Sequence, residues 1–282
     1  NIIQRQPEVT NSSRDNGSVK GINIEDDKAN GTNEKENDMN GFDCNKNGIE
    51  DGTEPDFWID TLYVCDYCFK YTDDKDKLFS HRDLCPHNRQ VPQIGTLKYM
   101  DRKSGYLIVQ IKGYQHELFV QNLCLFGKLF LDNKSVYYNV HLYDVYVVYG
   151  KDNIKGEPNN YKPMGFFSKE INAWDNDNNL ACICVFPPYQ RRKLGFLLIE
   201  FLYELAAMTP GQQISGPEFP LSKFGQLSYL KFWSRRVAMV LQELVLQKCK
   251  QFKLQDISKL TGFRKEDILM TLEYMKVLVT KD

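Results

Sequence analysis

The sequence predicts an α/β protein of the α+β kind, built on a mixed or antiparallel sheet rather than a doubly wound parallel one. Three observations carry this. Between 105 and 149 apolar and polar residues alternate, with many β-branched and aromatic side chains. The apolar run 180–186 then passes through a basic, glycine-bearing turn directly into the helical pattern of 194–208. Two further short helix patterns, 254–262 and 264–275, meet around Gly262. With 282 residues and a hydrophobic fraction of 42%, the chain can bury one large core or two small ones.

Residues 1–56 stand apart. They are rich in Asn, Asp, Gly, Glu and Lys and hold 13 acidic and 6 basic residues, a net charge of −7. Such a segment buries too little apolar surface to offset the entropy of ordering it, so it is expected to be a disordered acidic tail. Because the whole chain carries −1, the remainder carries +6. That excess is too small to argue direct DNA binding. The chain starts at Asn1 rather than Met, as a fragment of a longer protein would. No apolar run reaches the roughly 18 residues of a membrane span, and no secretory signal is present. Eight cysteines in a chain of this length do not make a dense disulfide framework.

Three of those cysteines cluster near a histidine. Cys65-x2-Cys68-x12-His81-x3-Cys85 has the spacing of a structural zinc site, in which a tight knuckle offers two thiolates and one helical turn offers a histidine and a cysteine. Residues 77–85 supply that short helix. His87 is an alternative fourth ligand and would make a Cys2His2 finger, a type that often reads DNA.

The central pattern gives strands at 104–111, 136–140 and 143–149, a helix at 121–131, a polar loop at 150–163, and a strand at 164–170 leading to 180–186. Cys182 and Cys184 lie two apart and would face the same side of a regular strand, so a bulge is expected to separate their roles. In the turn from Gln190 to Phe196, unpaired N–H groups and the positive end of the helix dipole form an anion cradle. The helix that follows places Leu197, Leu198, Phe201, Leu202 and Leu205 on one face, a core stripe. Residues 234–249 read as another amphipathic helix, and 254–275 as a helix-turn-helix-like pair.

Ala181-Cys182-Ile183, Pro187-Pro188-Tyr189-Gln190-Arg191 and Leu197-Leu198-Ile199-Glu200-Phe201 resemble the acetyl-coenzyme A motif of MYST-type histone acetyltransferases. Residues 58–71 resemble the Cys2HisCys finger of the same family, which favours Cys85 over His87 as ligand. Residues 122–134, 165–170 and 215–222 resemble further blocks, so the resemblance covers roughly 57–280. Within the family, 58–74, 162–170 and 215–225 are most similar to the catalytic subunits of fungal silencing complexes.

The resemblance implies a GNAT-like acetyl-CoA-binding core at 101–225, a zinc-finger region at 57–100 and a winged-helix-like segment at 226–282. It implies Glu218 as general base and Cys182 as the active-site cysteine, with direct attack preferred over an acetyl-cysteine. Lys134 falls at the autoacetylated lysine. The backbone of Ala181, Cys182, Ile183, Cys184 and Val185 should follow the pantetheine arm. Gln190, Arg191, Arg192, Lys193, Leu194, Gly195 and Phe196 should wrap the pyrophosphate, and Ser222 should touch coenzyme A. The implied setting is nuclear and chromatin-associated, in silencing and boundary control. The implied partners are the histone H4 tail, with lysine 16 the target, the nucleosome, and two non-catalytic subunits.

Two departures stand out. The family's Gln-x-x-Gly-x-Gly reads Gln190-Arg191-Arg192-Lys193-Leu194-Gly195, with lysine at the first glycine, which keeps open a weak or inactive scaffold. Leu230-Lys231-Phe232-Trp233 departs on the side expected to face adenosine. Sequence-specific DNA binding by the finger and the helix pair would need a basic patch, and Glu266, Asp267 and Glu273 on the second helix argue against one.

Overall fold

The computed structural model describes residues 3–4, 59–131, 137–152, 159–171, 178–248 and 251–278. The chain divides into a unit of residues 1–6 and 61–282 and a unit of 7–60. Of the segment expected to be a tail, only the short strand β1 (Ile3–Gln4) falls among the described residues.

The first globular elements are small. Strands β2 (Tyr63–Val64) and β3 (Tyr71–Thr72) pair as an antiparallel hairpin, followed by α1 (Lys75–Leu84). Asp74 caps α1 by accepting hydrogen bonds from the Asp76 and Lys77 N–H groups at 2.9 and 3.1 Å. No side chain of α1 is fully buried; only Leu78 packs, partly covered, against the core.

The main sheet contains β4 (Thr96–Met100), β5 (Leu107–Lys112), β6 (Tyr143–Lys151), β7 (Tyr161–Glu170) and β9 (Cys182–Val185), with β1 on its other edge. Its order is β1-β4-β5-β6-β7-β9, antiparallel throughout except for the parallel β1–β4 pair, so the sheet is mixed as the sequence predicts. The middle strands are covered on both faces. Val145, Val147, Val148, Met164 and Phe167 are fully buried, which is why β6 and β7 read as nearly continuous apolar runs. On one face lies α2 (Glu117–Lys128), whose Phe126 ring packs with Phe186 at 5.0 Å and with Phe69 of the knuckle at 5.3 Å. On the other lies α3 (Leu194–Ala207), whose Phe201 packs against Tyr146 and Phe167.

Several expectations need correction. Residues 137–142 form a 3-10 turn rather than a strand, since both neighbours of β6 are already taken by β5 and β7. The helix expected at 121–131 begins at Glu117, because Phe119 and Val120 are also buried. The run 180–186 breaks at Ala181: β8 (Asn178–Leu180) leaves the large sheet and pairs in parallel with β10 (Gly216–Pro217). No bulge separates Cys182 from Cys184. β9 stays in register with β7 from Ser168↔Cys182 to Gly165↔Val185, so both thiols point to the same buried face.

The helical layer is also more deeply packed than one stripe requires. In α3, Leu194, Ile199, Tyr203 and Ala206 are buried alongside Leu198, Phe201 and Leu202, whereas Leu197 and Leu205 are only partly covered. The second covered face meets α4 (Lys223–Leu246), which starts eleven residues before the expected 234. There the Trp233 Nε1–H donates to the Tyr203 hydroxyl at 2.9 Å. Helices α5 (Leu254–Thr261) and α6 (Lys265–Tyr274) flank Gly262, whose φ of 76° is the left-handed conformation glycine adopts without strain. The next residue, Phe263, is buried against Tyr203, Phe232 and Trp233 and fastens this segment to α3 and α4.

Candidate active site and metal centre

The hairpin and α1 bring Cys65, Cys68, His81 and Cys85 together, with one donor atom from each lying within 4.8 Å of the others. Tight backbone turns build the knuckle: Cys65 N–H donates to Lys70 O at 2.8 Å and Phe69 N–H to Cys65 O at 2.9 Å. The Cys65 and Cys85 sulfurs are 3.9 Å apart, and Cys68 Sγ is 3.2 Å from His81 Nε2. Bonds of about 2.3 Å to sulfur and 2.0 Å to nitrogen at tetrahedral angles separate donors by roughly 3.5–3.8 Å, so the group fits a closed structural site. Cys65 is pushed down to about 5, chiefly by the hydrogen bond from Cys68. That bond pushes Cys68 up, and burial pushes Cys85 up. A divalent cation at this point would favour the thiolate form of all three cysteines. His87 lies outside the group and packs its ring 5.0 Å from Phe119.

Strand β9 is the last of the large sheet, which leaves its outer backbone groups without a strand partner among the described residues. An extended ligand with amide groups can pair along such an edge. Ile183 and Val185 are partly buried, while Cys182 and Cys184 alternate with them on the buried face. Burial pushes Cys184 up to about 12, and Cys124 of α2 likewise to about 12, each with a smaller contribution from Cys182.

Past β9, residues 187–189 make one 3-10 turn and the chain reverses into α3. Arg191 and Lys193 both adopt left-handed conformations, at φ 63° and 62°. Lys193 is the N-cap of α3 and contributes no side-chain cap, so the first N–H groups of the helix point into the turn unsatisfied by it. The cations of this turn are not equivalent. Arg192 is paired with Asp152 at 3.2 Å and stacks on Tyr189, while Gln190 donates its amide to Val185 O at 3.1 Å. Leu194 is buried, so only its backbone can meet a ligand. At Gly195 a Cβ would find nothing nearer than Val185 Cγ2 at 3.9 Å; the protein itself leaves that space open.

Glu218 follows β10 and is half-buried; its N–H donates to Leu180 O at 3.3 Å. Tyr143, at the start of β6 and opposite Glu170 in β7, links the catalytic candidates. Its hydroxyl is pushed up by burial first, then by Glu170, Cys182, Glu218 and Cys124. The Tyr143 phenol thus shares one neighbourhood with the expected base and the expected cysteine. Lys134 lies outside the described residues. Ser222 is exposed, and its hydroxyl accepts the Gly225 N–H at 3.1 Å, capping α4.

Sequence reasoning missed Tyr143, Asp152, Arg235 and the pair Arg264–Asp267. Tyr143 looked like any strand tyrosine. Arg235, one helical turn from Lys231 on α4, lies 5.5 Å from the Phe196 ring and brings another cation to the start of α3. In the departing run, Leu230, Phe232 and Trp233 are buried, the last two against Phe196 and Tyr203 of α3, and Lys231 is exposed.

Comparison with known proteins fits this arrangement. The model of the MOZ/SAS family matches residues 93–282. Histone acetyltransferase SAS2 of Saccharomyces cerevisiae is 47% identical over 222 residues, covering 79% of this chain and 62% of SAS2. The Tip60 homolog of Caenorhabditis elegans is 35% identical over 225 residues, and histone acetyltransferase MOF of Drosophila melanogaster 36% over 220. Each match covers 77% of this chain, but only 45% of the first relative and 24% of the second. The chain therefore spans less than two thirds of the length of these relatives. With the family model covering about two thirds of its residues, in step with the edge strand, the cationic turn and the helix that follows, the chain belongs to the MOZ/SAS family.

Proposed function

We propose that this chain is the catalytic unit of a histone lysine acetyltransferase that takes acetyl from acetyl-CoA. The observation that carries the reading is the continuous path from the open edge of β9, through the turn with two left-handed cationic residues, to the N-terminus of α3, with Glu218 and Cys182 sharing the surroundings of Tyr143. The pantetheine amides would pair along residues 181–185, and the pyrophosphate would meet the N–H groups of 194–196 beside Lys193 and Arg235.

A lysine ammonium with a pKa near ~10.4 is almost wholly protonated at neutral pH. Glu218 would take the proton as the amine nitrogen attacks the thioester carbon. A C–N bond forms, the C–S bond breaks, and the thiolate of coenzyme A leaves. Direct attack, with Glu218 as base, is the preferred route over an acetyl-cysteine on Cys182.

The Cys2HisCys group would hold a structural zinc ion. The core would be GNAT-like, with α5 and α6 belonging to a winged-helix-like segment that frames the substrate. The division at 57–100, 101–225 and 226–282 and the acidic tail at 1–56 are part of the same proposal, as is autoacetylation of Lys134. The similarity to SAS2, a histone acetyltransferase by name, supports histones as the substrate class. A nuclear, chromatin-bound role in silencing, on lysine 16 of the histone H4 tail and with two non-catalytic subunits, is the finer part of the proposal and follows from the resemblance of the motifs. A catalytically weak scaffold is the second reading and rests on Lys193. Against it, Lys193 holds the φ of 62° that a glycine would take, so the turn keeps its shape.

The test is transfer of labelled acetyl from acetyl-CoA to histone H4 and nucleosomes by the full-length chain with its partner subunits, comparing wild type with Glu218→Gln. Loss of a general base should lower kcat by about 10²–10⁴-fold. Wild-type rates in the variant would remove Glu218 from the mechanism, and no transfer by the folded wild-type complex would favour the scaffold.

A further inference from the structure

The loop that carries Glu218 is gripped from a part of the chain far away in sequence. Arg264, the N-cap of α6, donates from Nη2 to the Pro217 carbonyl and from Nη1 to Asn178 Oδ1 at 3.3 Å, and its guanidinium lies 5.4 Å from the centre of the Phe219 ring. Pro217 and Phe219 are the two residues on either side of Glu218, so one planar cation holds both flanks. Arg264 is held in turn by Asp267, whose Oδ2 accepts from Nε at 3.0 Å and whose side chain is fully buried. Gly216 completes the fit: a Cβ there would collide with Asp267 Oδ2 and with Arg264 Nε and Nη2.

Burying an ion pair is a poor way to gain stability alone, since apolar residues of similar volume often serve as well or better. A guanidinium fork does what an apolar plug cannot: its donors fix a carbonyl in direction as well as in distance. The Glu218 N–H is fixed as well, donating to Leu180 O of β8 at 3.3 Å. The backbone on both sides of Glu218 is therefore tied to β8 and Arg264, which sets the point from which its side chain projects.

We propose that Arg264, locked by Asp267, is the positioning residue for Glu218, aiming the carboxylate at the attacking amine. The proposal rests on the reading of Glu218 as base. It gives α5 and α6 a part in the acetyl-transfer step itself.

The test uses the full-length chain with its partner subunits, labelled acetyl-CoA and histone H4, and the variants Arg264→Gln, Arg264→Lys, Glu218→Gln and the double variant Arg264→Gln/Glu218→Gln. Misplacing a catalytic group by about 1 Å is worth up to ~10²-fold. Arg264→Gln should therefore lower kcat by about 10–100-fold with the KM for acetyl-CoA unchanged. Arg264→Lys, which keeps the charge but not the fork, should recover little. The double variant should be no slower than Glu218→Gln alone, because Arg264 acts only through that side chain. Wild-type kcat in Arg264→Gln beside a slow Glu218→Gln overturns the positioning role and leaves the base intact. A double variant slower than Glu218→Gln also overturns it, while a fully active Glu218→Gln removes the base reading instead. Should Arg264→Gln melt below the assay temperature, Phe219→Leu takes its place. It removes only the ring under the guanidinium and should lower kcat several-fold at constant KM; unchanged kcat refutes the proposal.

Discussion

Replacing Lys193 by glycine should make the protein more stable while removing a charge from the turn proposed to bind the cofactor. The residue sits at φ 62°, ψ 14°, in the left-handed region where a side chain costs roughly 1–2 kcal/mol. Glycine removes that strain, but the greater freedom of the unfolded chain offsets about 0.5–1 kcal/mol of the gain. The lysine side chain is exposed and makes no cap hydrogen bond, so nothing else is lost from the fold. A net gain of about 0.5–1 kcal/mol should raise Tm by roughly 1–4 °C, at about 2–4 °C per kcal/mol for a domain of this size. Lys193→Ala is the control, since alanine keeps the strain and should melt within about a degree of wild type by the same reasoning. Both variants lose an ammonium worth about 1 kcal/mol beside a phosphate in water, a several-fold weakening of coenzyme A binding at low salt. Glycine should recover part of this by letting the backbone approach more closely. Thermal melts of the metal-loaded protein and calorimetric titration with coenzyme A separate the two effects. A glycine variant that melts no higher than the alanine variant would refute the strain argument.

If zinc fills the proposed site, a strong chelator should loosen α1, because apart from the partly covered Leu78 that helix is tied down by His81, Cys85 and the Arg82–Asp66 ion pair; unchanged amide-exchange protection at 75–84 would contradict this. Gly216→Ala should split the Arg264–Asp267 pair and cost about 3 kcal/mol or more, lowering Tm by roughly 6 °C or more, and a melt within a degree of wild type would show that the pair gives way easily. Lys169 has its pKa lowered by burial, so the folded protein releases that proton at a lower pH than the unfolded chain does. The stability of wild type relative to Lys169→Met should therefore rise as pH climbs from that lowered value towards the usual lysine range, and urea midpoints at several pH values should show this slope.

What was legible in the sequence was what is local along the chain. The metal ligands fall in one short stretch, and the strand, turn and helix of residues 182–207 follow one another directly, so spacing and pattern suffice for both. The 3-10 turn at 137–142 was not legible, because whether an apolar run joins a sheet depends on which edges remain free. The depth of α3 carried a readable signal: a helix apolar on more than one side is covered on more than one side. Arg264 and Asp267 misled for a physical reason. Charges three apart on a short helix usually face water, and only the distant Gly216–Phe219 loop closes over these.

An open sheet edge also invites other strands, and a protein that keeps one must prevent its own copies from stacking along it. Here the edge strand is only four residues long, and the Gln190 amide already takes the Val185 carbonyl. At one end the chain bends away at Ala181 to join β10, and at the other Pro187 and Pro188 offer no N–H with which a neighbour could continue the ladder. An edge this short, bent away at one end and closed by prolines at the other, gives a second copy of the chain little ladder to extend.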